Sequence, residues 1–348
     1  MTMHQLPHRD VVHLADIHPR QRVFSVWERY RHRQAHWFVE CIAEFMGVFF
    51  YVYAGVGSTA GFVIGSIADE SISSLQTIGF AYAFGILFAL ITCAATSGGH
   101  FNPAVTICHV VLRGFPIKKA CRYIFFQILG AFVSALLIYA QWRDSIVATE
   151  AALHAAGKWD AIMFTPQGLA GIFALYSPVG LNLGQAFLNE FVCDFLIAII
   201  IWACIDPTNF LVPPAAGPWV VALAYTMCIW GYSPNGLSTN AARDVGTRLA
   251  AIALWGTRAN GGPYAAIAAL TNIPATLLGA CFYEFILADS ARVVTPGHVD
   301  YLVAHTAHEE HGGVSAHGTT LPDSRAHQQG SSSPKYDEKA DVVALERV

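Results

Sequence analysis

Two short runs hold the polar groups with the most unusual setting in this sequence. Ser97-Gly98-Gly99-His100-Phe101-Asn102-Pro103-Ala104-Val105-Thr106 joins a glycine-bearing turn to a proline placed to open a helix. Ser238-Thr239-Asn240-Ala241-Ala242-Arg243-Asp244-Val245-Gly246 repeats the plan with an arginine added. Proline at a first helical position gives up only an amide that already lacks a partner. The apolar run that follows, Ala104 to Leu112, is too short to cross a bilayer. Irregular backbone at membrane depth survives only where protein buries it or water wets it, so a half-length helix here implies a cavity. Two such helices meeting at their N-termini place a positive potential and two asparagine amide donors at one point. The chemistry on offer is hydrogen-bond donation rather than covalent attack. His100 and Cys228 are the candidate nucleophiles or bases, and neither has a recognisable triad partner in the sequence, so no enzyme activity, metal or cofactor is expected.

These runs need a membrane-embedded frame. The 348 residues are 54% hydrophobic and 13% charged, about half the charged share of roughly 25% in a soluble domain. The apolar residues gather in stretches of about 20, enough for a hydrocarbon core roughly 30 Å thick. Six spans are predicted: Trp37 to Val56, Ile78 to Thr96, Lys119 to Ala140, Gly184 to Ile205, Ala215 to Tyr232 and Pro263 to Leu287. The first 36 residues are too polar for a cleavable secretory signal. Arg9, Arg20, Arg22, Arg29, Arg31 and Arg33 precede span one, and Arg113, Lys118, Lys119 and Arg122 lie between spans two and three. The link between spans one and two has no Lys or Arg, and that between spans three and four, 141–183, has only Arg143 and Lys158. The positive-inside bias then places both termini in the cytoplasm, with a plasma-membrane location expected.

Landmarks recur in the same order in both halves. Glu44-Phe45 in span one matches Glu190-Phe191 in span four, the asparagine runs follow, and Leu129-Gly130-Ala131 in span three matches Leu278-Gly279-Ala280 in span six. Each half has three spans and one re-entrant run, so the second half enters from the opposite face. The predicted fold is all-α and integral to the membrane, with six transmembrane helices and two re-entrant half-helices in an inverted repeat. The channel domain is expected over 37–288, its repeats over about 37–140 and 184–288.

With these residues in place, the sequence resembles the major intrinsic protein family, the aquaporins and aquaglyceroporins, over about residues 37–288. The resemblance implies a passive channel with Asn102 and Asn240 as midplane donors. It carries the family's outer selectivity constriction onto Tyr82, Cys228, Leu237 and Arg243, counted without gaps from the asparagines. Water-selective relatives commonly have histidine at the position of Cys228, and a small thiol there implies a wider constriction. Glycerol then suits the site: Arg243 donates to adjacent hydroxyls while Tyr82 and Leu237 shield the carbon chain. The aspartate after the pore arginine, in Ala242-Arg243-Asp244-Val245-Gly246-Thr247-Arg248-Leu249, and the outer segment Ala170-Gly171-Ile172-Phe173-Ala174-Leu175-Tyr176 also resemble the glycerol-conducting branch. The sequence departs from the family at Ala241, where proline is usual, and in span six, where Ala268, Ala269 and Asn272 stand near the family's usual proline. Glu44, Glu190 and His100 are expected to brace the half-helix loops, and Gln127 to be an interhelical partner. The family also implies a homotetramer, one pore per subunit, in a lipid bilayer, with water, glycerol and small neutral solutes such as polyols or urea as its partners and no nucleic acid.

Other readings stay open at this level. A water-selective channel fits the same motifs, and secondary transporters share inverted repeats with broken helices. All eight cysteines lie in or beside apolar stretches, and all except Cys228 read as small packing residues. The segment 289–348 is polar, contains Gly330-Ser331-Ser332-Ser333-Pro334 and is expected to be a disordered cytoplasmic tail. Its histidines, His298, His305, His308, His311, His317 and His327, lack a compact ligand spacing.

Overall fold

The computed structural model describes residues 14–17 and 21–305, which are helical with no strand among them. Arg9, Arg20, His308, His311, His317, His327 and the run 330–334 lie outside the described residues. After a short helix at Arg22–Tyr30, the chain forms α1 (His36–Ala68), α2 (Leu75–Ser97), α3 (Pro103–Arg113), α4 (Ile117–Gln141) and α5 (Arg143–Ala155). The second half forms α6 (Leu183–Ile205), α7 (Gly217–Tyr232), α8 (Ala241–Trp255), α9 (Tyr264–Leu270) and α10 (Asn272–Phe282).

Five of the six expected spans are helical runs long and apolar enough to cross a membrane. The remaining one, α7, has 16 residues, about 24 Å at the helical rise. The spans show apolar surface on their outer faces, including a stripe of Phe80, Phe84 and Phe88 on α2. An outside this apolar needs lipid or another subunit against it.

Two boundaries differ from the sequence reading. Span one does not stop near Val56: α1 runs on to Ala68, where Asp69 ends it in a left-handed conformation at φ 58°. The Gly-Ser-Thr stretch after Val56 stays helical, and Thr59 Oγ1 donates back to the Gly55 carbonyl at 2.8 Å, which satisfies its hydroxyl inside the helix. Span six runs from Tyr264 to Leu287 as expected; α9 and α10 meet at Thr271, where the backbone stays helical at φ -61° and ψ -33°. Pro274 sits just inside α10 and has no amide for the carbonyl four residues back. Finally, the segment expected to be disordered from 289 instead forms a helix over 296–305, with His298 only 5% exposed and its Nδ1 2.9 Å from Thr295 Oγ1.

The inverted repeat is visible in the packing. α1 packs along α2 and α4, and α6 along α7 and α10. Each short helix then crosses over: α3 lies against α10 of the second half and α8 against α4 of the first. The matched glycines permit the close approach of the spans. A Cβ at Gly130 would overlap the Phe45 carbonyl, and one at Gly279 the Phe195 carbonyl.

Candidate functional site

Each re-entrant run is held by a buried carboxylate from the first span of its half. Glu44, fully buried, accepts from Ser97 Oγ (2.7 Å), the amides of His100 (3.0 Å) and Phe101 (2.8 Å), and Gln127 Nε2 (2.7 Å). Glu190, 1% exposed, accepts from the amides of Ser238 (2.8 Å) and Thr239 (2.5 Å). A carboxylate at this depth needs such donors, because none is available from lipid. The turns they hold are tight: Phe101 and Thr239, each just before an asparagine, have φ of 47° and 56°. Side-chain-bearing residues rarely adopt this backbone.

Asn102 and Asn240 then act twice. Their Oδ1 atoms cap the half-helices, accepting from the Ala104 amide at 2.9 Å and from the amides of Ala242 and Arg243 at 2.9 and 3.2 Å. Their Nδ2 atoms reach across the pseudo-twofold: Asn102 donates to the Thr239 carbonyl at 3.1 Å and Asn240 to the Phe101 carbonyl at 2.8 Å. Each amide nitrogen has two N–H groups; the Asn102 amide also bonds the Tyr225 hydroxyl, and Asn240 keeps one more to offer. Both asparagines line a cavity of about 1320 Å³. Arg31, His109, Arg113 and His298 line it toward the termini, and Gln167, Tyr176 and Pro234 toward the opposite end.

Tyr82, Leu237 and Arg243 are on the cavity wall. Arg243, 5% exposed, donates from Nε and Nη2 to the Tyr82 hydroxyl at 3.2 and 3.1 Å and from Nη1 to the Phe173 carbonyl at 3.4 Å. That carbonyl also accepts from Thr247 Oγ1 at 2.7 Å, so the 141–183 link reaches down to the pore arginine. Tyr82 fits because its ring occupies the space a Cβ at Gly55 would need. Arg248 pairs with Asp244 instead, leaving Arg243 without a carboxylate partner among the described residues. His100 gives its amide to Glu44, sets Nδ1 3.2 Å from Thr106 Oγ1 and stacks on His109 at 4.4 Å, with both rings at the cavity wall.

Cys228 is the correction. It is fully buried, packs with Cys193 and Ile197, and is not among the residues lining the cavity. On α7 the cavity face carries Val221, Tyr225 and Ile229, spaced four residues apart, and Cys228 falls beside that stripe. Counting from an asparagine fixes a position along a helix but not the rotation of its face. Cys204, by contrast, is half-buried and lines the cavity. A small thiol reagent applied to the purified protein should therefore modify Cys204 well before Cys228, as read by peptide mass spectrometry. Equal labelling of the two would contradict this placement.

The sequence reading also missed Tyr51 and Tyr225. Both line the cavity, and the Tyr51 hydroxyl lies 3.4 Å from the Phe101 carbonyl. Tyr51 follows Glu44 by seven residues, two helical turns on the same face, which was the available signal. Nothing comparable marks Tyr225.

The model of the family described as major intrinsic protein matches residues 31–258. Aquaporin-3 of Laccaria bicolor is 54% identical over 304 residues, 86% of this chain and 92% of that protein. The glycerol uptake facilitator protein of Pseudomonas aeruginosa is 31% identical over 258 residues, covering 72% of this chain and 89% of that one. Among solved structures, the aquaglyceroporin from Plasmodium falciparum superposes with a TM-score of 0.61 at 22% identity, over 72% of this chain and 97% of the other, a likeness of fold. With two half-helices meeting at a shared cavity and a family match across most of its length, this chain belongs to the major intrinsic protein family.

Proposed function

We infer that this channel conducts glycerol together with water, with other small neutral polyols and urea as further candidate solutes. The observation that carries this reading is the pairing of Arg243 with the Tyr82 hydroxyl and the Phe173 carbonyl on the cavity wall. It sets fixed donors and acceptors beside an aromatic face, which suits a molecule with hydroxyls along one edge and carbon along the other. The correction at Cys228 leaves this pairing intact and gives the α7 side of the wall to Tyr225 and Ile229. The names of relatives, a glycerol uptake facilitator and the Aquaglyceroporin-2 of Rhizophagus irregularis, 35% identical over 213 residues, support the same solute. Passage needs no energy source: solute exchanges its hydration for Arg243 and the amide groups of Asn102 and Asn240, then leaves down its gradient.

The same reading makes the protein a homotetramer of the plasma membrane with both termini cytoplasmic. Cationic side chains gather at the end where α1 begins and the last span finishes, which supports that orientation. Lys119 pairs with Glu40 at 2.8 Å, the Arg122 guanidinium lies 5.3 Å from the Trp37 ring centre, and Arg113 pairs with Glu284 at 3.4 Å. The apolar face along Phe80, Phe84 and Phe88 leaves room for lipid or a neighbouring subunit.

Stopped-flow light scattering of proteoliposomes under water, glycerol and urea gradients tests the solute. Glycerol should re-enter far faster than into protein-free liposomes. Fast water movement with glycerol at the protein-free rate would favour the water-selective alternative and overturn this reading.

A further inference from the structure

The two asparagine motifs are built alike but stiffened differently. Pro103 fixes φ at the first position of α3, whereas Ala241 leaves the same position of α8 free to vary. The carboxylate braces are unequal too: Glu44 gathers four donors, and Glu190 two backbone amides with the buried Asp194 carboxyl beside it. The second turn nevertheless holds the same left-handed conformation as the first. Something else must restrain it.

We propose that Asn272 is a positioning residue that holds the Thr239 turn from behind and stands in for the proline absent at 241. Asn272 is the first residue of α10, next to Thr271, and is 2% exposed. Its Nδ2 donates to the Thr239 carbonyl at 3.0 Å, the same carbonyl that accepts from Asn102, and lies 3.2 Å from Thr276 Oγ1. The Phe101 carbonyl has the matching arrangement, with Asn240 at 2.8 Å and a weaker second donor, Tyr51, at 3.4 Å. The first motif thus combines a proline with a long second bond, and the second replaces the proline with a short one. Asn272 is not among the residues lining the cavity. It acts on solute only through Thr239, by fixing where that carbonyl and the Asn102 amide point.

The backbone leaves room for the reciprocal exchange. Position 241 is the first of its helix, where the amide has no intrahelical acceptor, and the preceding Asn240 is extended at ψ 115°, as a residue before proline must be.

The inference rests on the channel reading, and wild-type protein in the same assay separates the two. If wild type conducts no solute, the channel reading fails; if it does, the variants decide the role of Asn272. In proteoliposomes of full-length protein at matched incorporation, Asn272→Leu should lower glycerol and water permeability about five-fold, the Boltzmann factor of one net hydrogen bond. Adding Ala241→Pro to that variant should restore most of the loss, while Ala241→Pro alone leaves permeability near wild type. A general packing defect would not be repaired by a proline on a different helix, so rescue is the deciding readout. Unchanged permeability of Asn272→Leu, or no rescue in the double variant, would overturn the proposal. Should Asn272→Leu fail to yield folded protein, recovery of folded, conducting double variant supports the proposal, and failure of the double variant as well overturns it.

Discussion

Glu44→Leu is expected to cost most or all of the folded protein, and Glu190→Leu distinctly less. Glu44 is the shared acceptor for two backbone amides, a serine hydroxyl and a glutamine amide, all buried with it. Removing it strands four donors at roughly 1–3 kcal/mol each. The sum, on the order of 4–12 kcal/mol, is comparable to the whole stability of a typical protein, about 5–15 kcal/mol. Glu190 serves two amides and sits against the buried Asp194 carboxyl, whose crowding is relieved when Glu190 is removed, so its loss should cost less. Yield of monodisperse protein and thermal stability in detergent measure both. Equal stability of Glu44→Leu and wild type would contradict the bracing role, and a larger loss at Glu190 would contradict the ranking.

The second large effect is on charge exclusion. Arg243 is buried at the cavity wall with only neutral partners, Tyr82 and Phe173, while the neighbouring arginine is neutralised by Asp244. An uncompensated charge about 4 Å from a passing cation, at an effective dielectric constant near 20, raises its energy by about 4 kcal/mol, roughly a thousandfold in rate. The positive ends of α3 and α8 add to this barrier and remain when the arginine is removed. Arg243→Val should therefore raise proton and small-cation leak on the order of tenfold or more. A pH-sensitive dye inside the proteoliposomes, with a cation gradient and ionophore controls, reads the leak. An unchanged leak would remove Arg243 from this role.

What could be read from the sequence was set by chain-local signals. Asn-Pro-Ala after a glycine turn dictates a capped half-helix, and acidic residues inside apolar runs must meet donors, so the re-entrant motifs and the buried glutamates could be deduced from composition and spacing. The repeat gave two half-helices entering from opposite faces, whereas the crossing of α3 and α8 into the opposite halves emerged only with the fold. What was hidden depended on rotation and on neighbours. The face of α7 decides between Cys228 and Tyr225, and hydropathy is blind to it because that helix is apolar all round. The run of α1 past Val56 passes through Gly, Ser and Thr, which serve turns as readily as helices, so local composition does not mark where the helix ends. The helix over 296–305 lies in a segment whose composition argues for disorder, and the buried His298 shows that tertiary contacts order it. The bond from Asn272 to Thr239 joins residues 33 apart, and only the folded chain brings them together.

The measurement that bears most directly on passive conduction through this cavity is the initial rate of glycerol entry into proteoliposomes, taken over a wide range of glycerol concentrations. It should be made with and without imposed proton and sodium gradients. A pore with fixed donors and no moving step should give a rate proportional to the glycerol gradient, with no plateau and no response to either ion gradient. A rate that saturates and follows the ion gradient would mean that the broken-helix repeat works as a coupled transporter, and would contradict conduction by a passive pore.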